Sequence, residues 1–224
     1  PGYSPQVHFI IIDVAVCILV LGAFKFSLPA APTNNTQNKI FVTPDSPILL
    51  LGLIAFCCML CEGAMADWSG VYFKKIVEAP VAYTTLGYVA FSCTMALGRF
   101  AGDWLVIKFG TKKMLQLSGL LITTGLMITV LFPYILSATA GLLLVGLGVS
   151  SVVPVVYGIT GKSESMPAST ALAAVSTIGF LGFLVGPPLI VLIAQLISLR
   201  WSFAVVAILG FGTTFLAGKL KNKN

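Results

Sequence analysis

Three carboxylates, Asp13, Glu62 and Asp67, stand inside or at the edge of long apolar runs. An acid in hydrocarbon costs about 2.5–3.5 kcal/mol on insertion scales, so such a group faces a cavity, a partner or a solute. Glu62 follows an uncharged stretch, Pro47–Cys61, which places it past the middle of a helix. A carboxyl there can accept hydrogen bonds from a polar solute, or bind and release a proton. The structural alternative is a hydrogen bond to a neighbouring helix. Asp67 lies about 140° around the helix from Glu62, at about 100° per residue, so the two acids do not share a face. An interfacial ion pair or cap competes with a binding role for Asp67, with Lys74 seven residues on. Trp68 and Tyr72 can stack on a sugar-like ring, or belong to an interfacial aromatic belt. Asp13 reads as an acid snorkelling to water, and the lone His8 as a surface residue.

Two further groups have spacing suited to a pathway. Ser150, Pro154 and Tyr157 recur at four and three residues, which puts them on one helix face. Pro154 frees a backbone carbonyl, tolerated in a membrane beside a polar cavity, and cavity lining competes here with a simple packing kink. Gly179, Gly182 and Gly186 form a stripe that ends in Pro187-Pro188. That pattern makes a close-packed seam, and with two prolines a candidate gating hinge. The cysteines Cys17, Cys57, Cys58, Cys61 and Cys93 all lie in apolar runs and read as small helix residues. Neither a metal site nor a cofactor is expected, and no phosphate loop or nucleophile motif points to an enzyme.

The elements that must carry these groups follow from composition. The chain is 58% hydrophobic and 9% charged, with mean hydropathy +1.02. An ordinary soluble domain is about 45–50% apolar and about 25% charged. Apolar runs of this length span a membrane as helices, and strands of alternating polarity are missing, which argues against a β-barrel. Seven helices are expected: about His8–Leu28, Pro47–Phe73, Val81–Ala101, Met114–Leu131, Ser137–Thr160, Pro167–Ile197 and Trp201–Leu216. A polar linker, Pro29–Ser46, separates the first from the other six. The division is therefore residues 1–28, a linker at 29–46, a six-helix bundle at 47–218 and a basic tail at 219–224. The start at Pro1, without an initiator Met, suggests a preceding half that is missing here.

Thirteen Lys and Arg residues give a formal net charge of +6. Basic patches interleaved with aromatics are absent, so no nucleic-acid partner is expected. With the C-terminus inside, only Lys74, Lys75 and Arg200 fall outside, which is a positive-inside bias. The C-terminus is therefore expected to be cytoplasmic. On the same side lies Gly98–Lys113, expected to be a glycine-spaced basic loop with Arg99, Asp103, Lys108, Lys112 and Lys113. Gly98 and Gly102 make a small-xxx-small face for close helix approach.

The series Gly98, Arg99, Gly102, Asp103, Gly110, Lys112 and Lys113 resembles the signature loop between the second and third helices of each half of major facilitator superfamily carriers. Gly102 stands at the usual acidic position, and Asp103 follows one residue later. Glu62–Ser69, Gly179–Pro188 and Leu199–Trp201 resemble the MosC-like bacterial branch. The resemblance implies an all-α membrane protein with a major-facilitator-type six-helix bundle, helices seven to twelve, preceded by helix six. It implies a secondary transporter of the bacterial inner membrane, moving a small polar solute, sugar- or polyol-like, by alternating access with proton coupling. Gly98–Lys113 would then be a conformational switch, with the bilayer, the solute, protons and the missing N-terminal half as partners. A drug or metabolite efflux carrier is the nearest alternative. A seven-helix receptor shares the topology, but the last helix lacks the mid-span lysine a retinal pigment needs.

Overall fold

The structure, a computed structural model, describes residues 5–24, 44–163 and 165–220. The chain divides into two units, Pro1–Phe41 and Val42–Asn224. The first carries one helix, α1 (Pro5–Phe24), apolar along Phe9–Ala23. Residues 25–43, which hold most of the linker expected at 29–46, lie outside the described residues, as do residues 221–224 of the expected tail.

The second unit is built of α2 (Ser46–Lys75), α3 (Leu86–Phe109), α4 (Thr111–Leu131), α5 (Ile135–Ser150), α6 (Val152–Thr160), α7 (Ala168–Leu196) and α8 (Leu199–Gly218). A short 3₁₀ turn, Val81–Tyr83, leads into α3, and α5 with α6 makes one interrupted span. The unit thus has six helices long and apolar enough to cross a membrane, the shortest 20 residues, or about 30 Å at about 1.5 Å per residue. The spans alternate in direction. One end of the bundle gathers the start of α2, the end of α3, the start of α4, the end of α6, the start of α7 and the end of α8.

Two boundaries correct the sequence expectation. The stretch Gly98–Lys113 is not a loop, because α3 runs on to Phe109 and α4 begins at Thr111. Gly110 is the single break, at φ 77° and ψ 157°, a backbone region open in practice to glycine alone. The charges misled because they sit on a helical stripe: Arg99, Gly102, Asp103 and Val106 recur at i, i+3, i+4 and i+7. Phe100, Trp104 and Ile107 leave by the other side and are exposed. The expected fifth helix is interrupted at Ser151, between α5 and α6. Pro154 explains the position, since its ring has no N–H and clashes with the carbonyl four residues back, at Ser150.

Packing is carried by small residues, as it must be where lipid supplies no hydrophobic contrast. The Gly179/Gly182/Gly186 stripe of α7 lies on α2: a Cβ at Gly179 would sit 2.8 Å from Met59 Sδ, and one at Gly186 2.8 Å from the Leu60 carbonyl. Gly125 of α4 and Gly141 of α5 meet backbone to backbone. Polar ties close the ends. Arg200 Nε donates to the Val130 carbonyl at 2.7 Å and Nη2 to Leu131 at 3.3 Å, so the start of α8 caps the end of α4. At the opposite end Lys112 Nζ donates to the Leu220 carbonyl at 2.8 Å.

Candidate functional site

Glu62 and Arg99, which the sequence assigned to separate roles, meet. Arg99 Nη2 lies 3.6 Å from Glu62 Oε1, and this is the one side-chain ion pair among the described residues. Glu62 reaches it from the middle of α2, on a helix whose neighbouring positions Cys58 and Cys61 are fully buried. The Glu62 side chain is 18% exposed and that of Arg99 52%. The carboxylate therefore sits mostly inside the bundle, and its cation stands at the edge of open space. Arg99 also lies 3.8 Å from Met95 Sδ, one turn back on α3.

That space is a cavity of about 870 Å³ at the end of the bundle where α2 starts and α3 ends. The α3 stripe Arg99, Gly102, Asp103 and Val106 forms one wall. Ser150 and Pro154, from the α5–α6 break, form another, and Ile48 and Leu51 of α2 a third. The approach of α3 to the break depends on its two glycines. A Cβ at Gly98 would stand 2.7 Å from Ser150 Cβ, and one at Gly102 3.4 Å from Ser151 Oγ. Ser150 Oγ donates to the Leu147 carbonyl at 2.7 Å and lies 3.3 Å from Ser151 Oγ, so the hydroxyls at the break are partly engaged locally.

The remaining expected residues distribute as follows. Lys112 lines the cavity, while Lys113 is exposed outside its wall. Tyr157 is half-buried against the core rather than in the cavity lining, because the cavity face of α6 runs through Pro154, Val155, Gly158 and Ile159 and leaves Tyr157 to one side. Tyr72 is fully buried: its hydroxyl donates to the Thr129 carbonyl at 2.8 Å and its ring stacks on Phe203 at 4.3 Å. No ring face is left for a solute, so the stacking role expected of Tyr72 is replaced by a core role. Trp68 packs half-buried against the same core. Asp67 is exposed in a separate apolar groove of about 490 Å³, with Phe180, Phe183, Leu184, Pro187 and Pro188. There the two prolines remove the donors that Phe183 and Leu184 would otherwise meet. The freed Phe183 carbonyl faces the bare side of Gly63, where a Cβ would lie 3.2 Å away.

Sequence reasoning missed Lys162 and Lys219 as cavity residues. Their signal is legible: each stands within two residues of the end of an apolar helix, at the end of the bundle where α3 also ends. The Glu62–Arg99 pairing had no sequence signal, because it depends on how α2 and α3 are rotated against each other.

No family model matches the chain. Three curated relatives match nearly all of it. An uncharacterized MFS-type transporter of Yersinia pestis is 35% identical over 93% of the chain and 54% of its own length. Membrane protein MosC of Rhizobium meliloti is 31% identical over 86% of the chain and 48% of its own length. An uncharacterized transporter of Sinorhizobium fredii is 30% identical over 96% of the chain and 57% of its own length. The chain thus spans about half the length of the relatives it matches, corresponding to their C-terminal half. Among solved structures, the POT family transporter PepTSo superposes with TM-score 0.70 at 15% identity, over 79% of this chain and 37% of its own. A peptide transporter POT, an E310Q mutant in complex with alafosfalin, gives 0.69 at 16% identity, over 77% and 37%. At that identity the likeness is one of fold.

Proposed function

We propose that this chain, a member of the major facilitator superfamily, supplies the C-terminal half of a secondary active transporter. The working protein moves a small polar solute, of sugar or polyol type, across the bacterial inner membrane by alternating access, coupled to protons. The cavity end of the bundle faces the cytoplasm, as the positive-inside bias supports. The observation that carries the reading is the Glu62–Arg99 pair. It links a carboxylate in mid-span to a guanidinium on the wall of a cavity open at one end. A proton or a solute group that displaces Arg99 from Glu62 loosens α2 from α3. Protonation and helix rearrangement are then one event, which is what coupling requires. Gly98 and Gly102 permit the close seam that would move, and Gly179, Gly182, Gly186, Pro187 and Pro188 are the proposed hinge.

The test uses protein made from the full coding sequence and reconstituted into vesicles under a pH gradient. A dye reads internal pH while neutral sugars and polyols are added one at a time. A solute that moves protons with the unmodified protein should move none with Glu62→Gln. Unchanged uptake and pH response in that variant would refute the role of Glu62. The Asp67 groove, one acid among apolar side chains, favours a second reading, efflux of an amphipathic cation, and adding such cations to the same vesicles separates the two.

A further inference from the structure

The 870 Å³ cavity gathers more positive charge than its described surroundings neutralise. Arg99 of α3, Lys112 of α4, Lys162 just past α6 and Lys219 just past α8 converge on it from four segments. Asp103 is the one carboxylate in the described lining. Arg99 is already answered by Glu62. None of the three lysines has a carboxylate within ion-pair distance among the described residues. Lys112 rests on the Leu220 carbonyl at 2.8 Å, and Lys219 lies over the Phe215 ring at 4.8 Å. Those contacts hold the ammonium groups at the wall and leave their charge in place. Asp45, beside the mouth, has a buried Oδ1 with no partner, and Glu164 lies outside the described residues.

Like charges around a walled space repel one another unless an anion sits among them, and such a space concentrates anions. The volume lies within the range of about 300–1,000 Å³ typical of small-molecule sites. The Thr111 hydroxyl stands in the same wall, as do those of Ser163 and Ser165, which pair with each other at 2.9 Å. A single carboxylate would leave much of the surplus in place. A phosphate group carries up to about two negative charges and several acceptor oxygens, and suits lysines acting as point charges. We propose that this cavity binds a phosphate-bearing anion, held by Lys112, Lys162 and Lys219. Two sources share that chemistry: the headgroup of a phospholipid that ends in a phosphate monoester, and a soluble phosphate monoester. The inference does not need the carrier reading and concerns groups other than Glu62.

The test is a titration of protein made from the full coding sequence, in neutral detergent, followed by thermal unfolding. One arm adds glycerol 3-phosphate, with glycerol as the uncharged control. The other adds short-chain phosphatidic acid, a phosphate monoester, with phosphatidylcholine, whose headgroup has no net charge, as its control. At least one phosphate-bearing probe should raise the melting temperature while its control does not, and the arm that responds identifies the source. Replacing two lysines, Lys162→Gln with Lys219→Gln, should weaken that binding by roughly tenfold or more, since each cation near an anionic surface contributes on the order of 1 kcal/mol. The charge-keeping pair Lys162→Arg with Lys219→Arg should retain it. Glu62→Gln should bind at least as tightly, so failure of transport and failure of anion binding remain distinct. Absence of a shift with every phosphate-bearing probe, or unchanged affinity in the glutamine pair, would overturn the proposal.

Discussion

Removing either member of the Glu62–Arg99 pair should destabilise the bundle, and removing both should cost less than the sum. At 3.6 Å, two unit charges in an effective dielectric near 20 attract by about 4–5 kcal/mol. That figure is an upper bound. Arg99 is 52% exposed, so water screens it, and Glu62, at 18%, has lost most of its own hydration. Exposed pairs are worth about 0.2–1 kcal/mol, while breaking a buried pair costs about 3–5 kcal/mol. This pair lies between those limits, so a coupling of about 1–2 kcal/mol is expected. The singles should also differ. Arg99→Gln strands a carboxylate inside the bundle, whereas Glu62→Gln leaves a guanidinium that can turn into the cavity. Arg99→Gln should therefore be the more damaging.

The assay is built into the chain. Cys57, Cys58 and Cys61 are free and buried, so a thiol-reactive dye reports their exposure on heating, over a baseline from the exposed Cys17 and Cys93. For a chain of this size 1 kcal/mol moves the midpoint by about 2–4 °C. The double variant Glu62→Gln with Arg99→Gln should then melt about 2–8 °C above the temperature that adding the two single shifts predicts. Shifts that add within about 0.5 kcal/mol would refute the coupling, and with it the idea that α2 and α3 are held by this pair.

Three glycine substitutions can be read in the same assay. Gly98→Ala places a Cβ 2.7 Å from Ser150 Cβ, on a seam with no room to yield, and should cost about 1–3 kcal/mol. Gly158→Ala, also helical but with nothing beyond its own helix backbone within 4 Å of the added Cβ, should instead stabilise by roughly 0.5–1 kcal/mol. Equal effects at the two positions would contradict the close α3 seam. Gly110→Ala should cost about 1–3 kcal/mol, because φ 77° with ψ 157° strains any residue bearing a Cβ. An unchanged midpoint there would mean that the junction between α3 and α4 is not as described.

The spans were legible in the sequence because an apolar run long enough to cross a membrane has few alternatives. The expected second helix, Pro47–Phe73, differs from α2 by one residue at its start and two at its end. What misled was charge. Arg99, Asp103 and Lys108 were read as a loop, although Arg99, Gly102, Asp103 and Val106 already carry the helical period that continues α3. Pro154 predicted a disturbance, yet the break falls at Ser151, because the proline acts on the carbonyl behind it. Tyr72 shows the opposite limit. An aromatic near a membrane interface reads as available for binding, and only the packing of α2 against α4 and α8 reveals that its hydroxyl and ring are already engaged.

A continuous α3 supports the coupling role proposed for it. As a loop, Gly98–Lys113 would have been a cytoplasmic latch remote from Glu62. As a helix ending at Phe109, the same residues are rigidly joined. Arg99, on the buried carboxylate, and Asp103, on the cavity wall, are one turn apart on one face. Gly98, on the same helix, touches Ser150 at the point where the α5–α6 span is interrupted. A shift of α3 large enough to part Arg99 from Glu62 must therefore move the cavity wall and disturb that interruption as well. A flexible loop could absorb such a shift, and a continuous helix transmits it. Mid-span charge and end-of-bundle cavity are thus mechanically connected through residues that, read one at a time, suggested only a basic loop.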